Sequence, residues 1–380
     1  MILVILLVLV TACYTGLLAA FIYGWKKLPD FKLNKEIPKS RFSIIIPYRN
    51  EALNLPDLFK SLSGLKYPRE LFEIILVNDE SEDESLKLCE EFQQSFSELR
   101  IKLLENKRRS TSPKKDAVLT GIDEAEFENI VTTDADCLLP VKWLGGFDQE
   151  IQKNDSKLIA GPVGFIGKAG ERSRLFTRFE ELDFLSLQAT TMGSFGIEKG
   201  FMCNAANLCY SKKVFQKYNG YDGNEKIASG DDVFLLQKLN RAGEKVTFLK
   251  SAELIVLTRF QISLRTLTHQ RLRWASKTSS YISKLAKFTG VIVFLMNFIL
   301  IFGAIMAFLG YTDHQYVMLA FLVKFNIDFI LLYRAAKFFK SEEILRSYLW
   351  GSIVYPFYTI YISVLAMLTD YEWKGRRFNK

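Results

Sequence analysis

Asp134 and Asp136, separated by Ala135, stand directly after the apolar run Asn129–Thr133. In an extended chain, positions i and i+2 project to one side, so both carboxylates can address a single ion. Oxygen ligands of this kind suit Mg2+ or Mn2+, which keep waters and complete their shell with substrate phosphates. A bare D-x-D is also a common solvated turn; its place at the end of a buried run is what favours a ligand role. Two more acids, Asp231 and Asp232, precede an apolar helical stretch through Val233, Phe234, Leu235, Leu236 and Leu239. N-capping would account for one of them, more readily Asp231 than Asp232. Asp79 reads equally as a helix cap or a ligand, given Ser81 and Glu84 nearby. Lys114 and Lys115 open a helix expected over residues 114–125, where a cation opposes the macrodipole unless an anion also sits there. A solvated-surface reading suits Lys114 better than Lys115. Gln270, Arg271, Arg273 and Trp274 lie shortly before an apolar stretch, and a basic amphipathic helix at a membrane surface explains the last three without chemistry.

These residues need a scaffold that gathers them. Between about residues 40 and 260, short apolar runs alternate with amphipathic stretches, the pattern of an α/β domain with a mostly parallel sheet. Phe42–Pro47, Glu73–Val77, Leu99–Leu104, Asn129–Thr133, Leu158–Val163 and Val246–Leu249 read as strands. Leu53, Leu55, Leu58, Phe59 and Leu62 recur at helical spacing after the first of them. Ligands of open α/β sheets bind beyond the carboxyl ends of the strands. Tyr48 to Glu51, Asp79 and Asp134 to Asp136 occupy three such ends, and their carboxylates repel unless something positive sits among them. A divalent metal with a phosphorylated ligand would satisfy that. Gly200–Asn207, with Cys203 and Asn204, reads as a buried turn.

Of the 380 residues, 49% are hydrophobic and 24% charged, which fits a globular chain and leaves the placement of apolar residues as the informative feature. The five Cys form no C-x-x-C pair, and two His are too few for a three-His metal site or an H-E-x-x-H protease. Ile2 to Tyr23 carries no charge and leads into Lys26 and Lys27. This is an anchor of the length that crosses a hydrocarbon core, and the two lysines hold the α/β domain in the cytoplasm. A cleaved signal peptide would put its charges first and have a shorter core. Phe288–Tyr311, Tyr316–Tyr333 and Tyr348–Thr369 are further apolar stretches. Lys324 and Asp328 lie four apart in the second and can pair if that face is buried, and Pro356 interrupts the third. Three full spans would put the basic tail (Lys374, Arg376, Arg377, Lys380) outside, against the positive-inside tendency. The expected division is an anchor over 1–25, a cytoplasmic domain over 40–260, an amphipathic interfacial segment over 261–287, membrane segments over 288–370 and a basic tail over 371–380. The net charge of +8 sits beside apolar segments, which points to an anionic membrane surface and not to nucleic acid.

In order, FSIIIPYRNE, VNDES, KKDAVLTGI, the DAD at 134–136, SGDDVFLL and QRLRW resemble the motif series of membrane-bound family 2 inverting glycosyltransferases, which include cellulose, chitin and hyaluronan synthases and ceramide glucosyltransferase. The resemblance covers most of the chain. It implies the GT-A fold, a nucleotide-diphosphate-sugar donor (UDP-sugar favoured), Mg2+ or Mn2+, and a lipid or growing glycan acceptor. It further implies that Pro47, Arg49 and Glu51 border the nucleotide, Asp79 the base and Lys115 the nucleotide side. Asp134 and Asp136 would hold ribose, diphosphate and metal, and Asp232 would be the general base. Cys203, Asn204 and Asp231 would lie beside sugar and acceptor, while Gln270, Arg273 and Trp274 close over diphosphate and acceptor. Two positions depart from the family pattern: Asn78 stands where an aspartate usually pairs with Asp79, and Asp231 where Glu is common. The tail W-K-G-R at 373–376 resembles an ending of glycolipid-forming members. The expected location is a bacterial inner or plasma membrane. A processive polysaccharide synthase is the alternative, and a non-catalytic nucleotide-binding scaffold a further one.

Overall fold

Phe42–Tyr48 (β1) is a continuous apolar run because it is covered on both faces and flanked by partners on both edges, Phe72–Asn78 (β2) and Asn129–Thr132 (β4). The computed structural model describes residues 1–166, 174–224, 227 and 229–378. Ile101–Glu105 (β3), Leu158–Ala160 (β5), Val163–Phe165 (β6), Leu208–Ser211 (β7), Val246–Phe248 (β8) and Val256–Thr258 (β9) complete the strands of this region. Seven of them form one sheet in the order β3-β2-β1-β4-β7-β5-β8, parallel except where β7 runs against β4 and β5, while β6 pairs with β9. The run expected as one strand over Leu158–Val163 is split in two at Gly161 and Pro162. β7 and β9 were not legible as strands.

Helices Leu55–Ser63 (α2), Ser85–Ser95 (α3), Pro113–Glu124 (α4), Trp143–Asn154 (α5), Lys212–Lys217 (α7) and Asp231–Arg241 (α8) belong with these strands. α2 buries Leu55, Leu58, Phe59 and Leu62, whereas Leu53 lies before the helix and is exposed. Pro29–Ile166 and Met202–Arg259 make up this unit.

The second unit comprises Met1–Leu28 and the described parts of Gly167–Phe201 and Phe260–Lys380. It is helical: Ile2–Lys27 (α1), Leu175–Gly196 (α6), Leu264–Ser276 (α9), Lys284–Phe308 (α10), His314–Phe338 (α11) and Tyr348–Leu368 (α12), ending in a hairpin of Tyr371–Trp373 (β10) and Arg376–Phe378 (β11). By length and composition, α1, α10, α11 and the Glu342–Leu368 stretch could each cross a membrane. α12 runs through Pro356. α6 crosses α1 backbone to backbone: a Cβ on Gly196 would sit 1.8 Å from the Gly24 carbonyl oxygen, and one on Gly24 2.0 Å from that of Gly193. Small residues permit that approach. The Lys324–Asp328 pair forms at 2.5 Å, with the Tyr14 hydroxyl donating to Asp328 at 2.6 Å.

Candidate active site

In the α/β unit, β1 outlasts β4 by several residues, since their pairing ends at Ile45 and Thr132. Pro47, which cannot donate to a ladder, stands in that outlasting part. Arg49 joins the ends of β1 and β2. Its Nη1 donates to the carbonyl oxygens of Asp79 (2.8 Å) and Glu80 (2.6 Å), and its Nη2 to Glu82 (3.0 Å). Asn50 and Glu80, both at positive φ, turn the two chains there. Glu51 is buried and accepts from Asn54 Nδ2 at 2.6 Å. Asp79 accepts from Asn106 Nδ2 at 2.6 Å. Asn78, the departure from a paired aspartate, closes the turn by accepting from Ser81 N (3.0 Å) and donating to Glu105.

Asp134 and Asp136 do not lie in extended chain. Cys137 N donates to the Asp134 carbonyl at 3.2 Å, closing a turn, and Leu138 then bridges to Leu257 of β9. The alternation argument for a shared side therefore does not apply. The turn sets Asp136 against β9 instead, where Thr258 Oγ1 donates to it at 3.3 Å and Cys137 Sγ at 3.6 Å.

The positive charge that the strand-end carboxylates require comes in part from the chain itself. Lys114 Nζ lies 2.6 Å from Asp134 Oδ1 and 3.7 Å from Asp231 Oδ2. Burial opposes its charge, but Asp134, Asp231 and Asp232 outweigh that and hold the ammonium pKa above its ordinary value. Lys115, by contrast, is 1% exposed. Its Nζ donates to the carbonyl oxygens of Asn224 (2.7 Å) and Ile227 (2.8 Å), with the Phe234 ring 5.3 Å away. Of the two lysines, Lys114 meets the acids and Lys115 braces the segment before α8, the reverse of the weighting their sequence suggested. The legible signal was the cation at the start of α4, which only a nearby anion favours.

α8 is capped by Gly230 at φ +87°, so neither aspartate is its N-cap. Asp232 Oδ2 accepts from Ala205 N at 3.1 Å and Oδ1 from Val233 N at 2.7 Å. This brings Asp232 to the segment holding Cys203 and Asn204, whose side chain caps a short turn by accepting from Ala206 N at 3.0 Å. The Ala205 amide is a partner that side-chain chemistry alone could not disclose.

In the helical unit, α9 carries Gln270, Arg273 and Trp274 and opens with a capping box between Ser263 and Thr266. Arg271 is not a headgroup-facing residue, as a surface helix would make it: its Nε donates to Asp183 on α6 at 2.5 Å in a buried pair. Beside it, Glu180 has its pKa pushed up to about 7, chiefly by burial. β10 lies along α9, with Glu372 N donating to His269 Nδ1 at 3.5 Å.

Residues 43–218 match the family model described as glycosyl transferase family 2. The chain is 24% identical over 210 residues to glycosyltransferase AglE of Haloferax volcanii, covering 54% of this chain and 63% of that relative. It is 23% identical over 257 residues to a poly-beta-1,6-N-acetyl-D-glucosamine synthase of Staphylococcus aureus, covering 67% and 57%. The matched region thus spans less than two thirds of either relative's length. Among solved structures, a mannosyltransferase of Pyrobaculum calidifontis in complex with GDP-Man and Mn2+ aligns over 96% of this chain and 99% of that one, with TM-score 0.58 at 15% identity, a likeness of fold. Sheet order and family match converge: residues 43–218 resemble glycosyl transferase family 2 on a GT-A-like fold, and among the described residues apolar helices long enough to span a membrane precede and follow that region in the chain.

Proposed function

We propose that the protein is a membrane-anchored inverting glycosyltransferase that moves a sugar from a nucleotide-diphosphate-sugar, UDP-linked by preference, to a lipid or growing glycan acceptor. The observation that carries this reading is the Lys114–Asp134–Asp231 cluster beside Asp232, itself tied to the segment of Cys203 and Asn204. Asp232 takes the proton of the acceptor hydroxyl, its carboxylate oriented by the amides of Ala205 and Val233. One base opposite the leaving group gives inversion. Pro47, Arg49, Glu51 and Asp79 border the nucleotide, and Lys114 adds positive charge near its phosphates. The resemblance assigns Gln270 and Arg273 to the diphosphate, which an amide and a guanidinium can hydrogen-bond, and Trp274 to a sugar face, on which an indole can stack.

Among the described residues, no three His, Cys, Asp or Glu side chains are grouped to hold an ion. The donor set nevertheless fits Mg2+ or Mn2+ completed by phosphate oxygens and water: Asp136 contacts the neutral hydroxyl of Thr258 and thiol of Cys137, whereas Asp134 is charge-paired with Lys114. Asp136 with Asp134 would hold the ion, which would neutralise charge developing on the leaving diphosphate. Lys26 and Lys27 support a cytoplasmic catalytic domain, where nucleotide sugars are made.

A glycolipid product is favoured over a processive polysaccharide, because the four apolar helices among the described residues offer little material for a channel. The likeness to a poly-N-acetylglucosamine synthase is what keeps the second product in view. Purified protein in nanodiscs, incubated with UDP- and GDP-sugars with Mg2+, Mn2+ or EDTA, should release nucleotide diphosphate from one donor in a metal-dependent way. Full turnover in EDTA would remove the metal, and no turnover of any donor with lipid or glycan acceptors would overturn the reading. Product length separates the two products.

A further inference from the structure

Arg271 stands outside the positions given a role in transfer, yet its guanidinium touches two of them. Nε donates to Asp183 Oδ2 at 2.5 Å, Nη1 donates to Gln270 Oε1 at 2.5 Å, and the guanidinium carbon lies 4.3 Å from the centroid of the Trp274 ring. We infer that Arg271, anchored by Asp183, is a positioning residue that presents Gln270 and Trp274 to donor and acceptor; this rests on the role proposed above for those two side chains.

The geometry differs from that of a pair built only for stability. An arginine fork commonly meets a carboxylate through two parallel N–H groups. Here the described hydrogen bonds give Asp183 one edge of the plane and Gln270 another, and the flat face stacks on the indole. Each contact has a chemical consequence. Arginine has donors and no acceptor, so the Gln270 amide must turn its oxygen to Arg271, which leaves its NH2 as the end able to donate to a phosphate oxygen. The stack covers one face of Trp274 and, with the Phe184 ring 6.4 Å away, fixes the plane of the indole. Residues three apart on a helix are neighbours, so Arg271 reaches Trp274 within α9. The fixed point comes from outside that helix, since Asp183 is on α6 and is 8% exposed. Lysine could keep the charge but not the second edge or the stacking face.

The test uses the full chain in nanodiscs, with whichever UDP- or GDP-sugar releases nucleotide diphosphate. Arg271→Lys should insert and unfold cooperatively near the wild-type temperature while kcat/KM falls by roughly 10²-fold, the scale of an ångström-sized misplacement. Because Arg271 acts through its neighbours, Gln270→Ala and Trp274→Ala should each cost markedly less in the Arg271→Lys background than in wild type. Asp183→Glu, which keeps the charge and moves the anchor by one methylene, should show the same loss and non-additivity, and it decides the matter if Arg271→Lys does not fold. Unchanged kcat/KM in folded Arg271→Lys or Asp183→Glu, or strictly additive losses, would overturn the inference. If Gln270→Ala and Trp274→Ala themselves leave kcat/KM unchanged, it is the underlying assignment of those residues that fails.

Discussion

Each unit of the protein contains a cation among more carboxylates than it can neutralise, and the two are exposed to different degrees. In the α/β unit, Lys114 sits with Asp134, Asp231 and Asp232, and the Asp134 side chain is 34% exposed. In the helical unit, Arg271 pairs with Asp183, both side chains under a tenth exposed, with Glu180 beside them pushed up to about 7 chiefly by burial. A part-exposed cluster can exchange one charged partner for a phosphate or metal at little cost in stability. A buried one cannot, because losing either partner strands the other's charge. The first arrangement suits binding, the second suits holding a shape.

The largest effect expected from this contrast is at Asp232. Asp232→Asn keeps one side-chain oxygen for the Ala205 or Val233 amide but cannot take a proton, so turnover should fall by roughly 10² to 10⁴ with donor affinity preserved. Asp231→Asn, which weakens the longer contact to Lys114, should lose far less. Equal, mild losses in steady-state kinetics of the two variants would return Asp232 to a structural role.

Next comes a reciprocal pair. Asp183→Asn leaves Arg271 buried without a full counter-charge and should destabilise the protein by about 3–5 kcal/mol. Asp134→Asn should cost within about 1 kcal/mol, since Lys114 keeps Asp231, while impairing donor turnover. Chemical unfolding and activity measured on both variants check the crossing pattern. If Asp134→Asn proves the more destabilising, the division into binding cluster and fixture is wrong.

The same physics sets how much of the molecule is legible in its sequence. β1, β2 and β4 were legible because burial on both faces demands an uninterrupted apolar run, and α4 was legible within a residue. The four long apolar helices among the described residues announced themselves by composition. β7 and β9 were not, although β4, β5 and β8 are equally short: β7 follows directly on the polar-interrupted stretch Gly200–Asn207, which hides its start, and β9 is what holds Thr258 against Asp136. α6 was equally illegible: Glu180, Glu181 and Asp183 interrupt it with charge, and only the tertiary partner Arg271 explains an acid there. Lys114 and Lys115 are chemically identical in sequence, and the turn of the helix alone decides which meets the acids.

A smaller effect separates the clusters by pH. Glu180 accepts from Gln261 N at 3.1 Å, and burial, aided by Asp183 and Glu181, raises its pKa to about 7 against the pull of that amide and of Arg271. A carboxyl raised in the folded state holds its proton more tightly there than when unfolded, so its contribution is fully present below its unfolded value near 4.3 and is lost as pH climbs through about 7. Stability of the wild type should therefore decline across that window and level off above it. Glu180→Gln keeps an acceptor for the Gln261 amide and has no proton to lose, so its stability should stay flatter. Identical pH profiles from denaturant titrations of the two proteins would refute the burial argument.

The smallest prediction concerns glycine inside a helix, which the chain uses in two opposite ways. In α6, Gly196 is required because the Gly24 carbonyl occupies the place of its Cβ. In α5 of the α/β unit, a Cβ built on Gly145 meets nothing within 4 Å, so no contact repays the backbone entropy that glycine loses on folding. Gly145→Ala should raise stability by up to about 1 kcal/mol, the difference in helix propensity, and leave kcat/KM unchanged. A thermal unfolding midpoint that falls would mean that α5 needs a bare backbone at Gly145 for a purpose its surroundings do not disclose, and the contrast between a helix that is merely packed and one crossed backbone to backbone would lose its simplest measure.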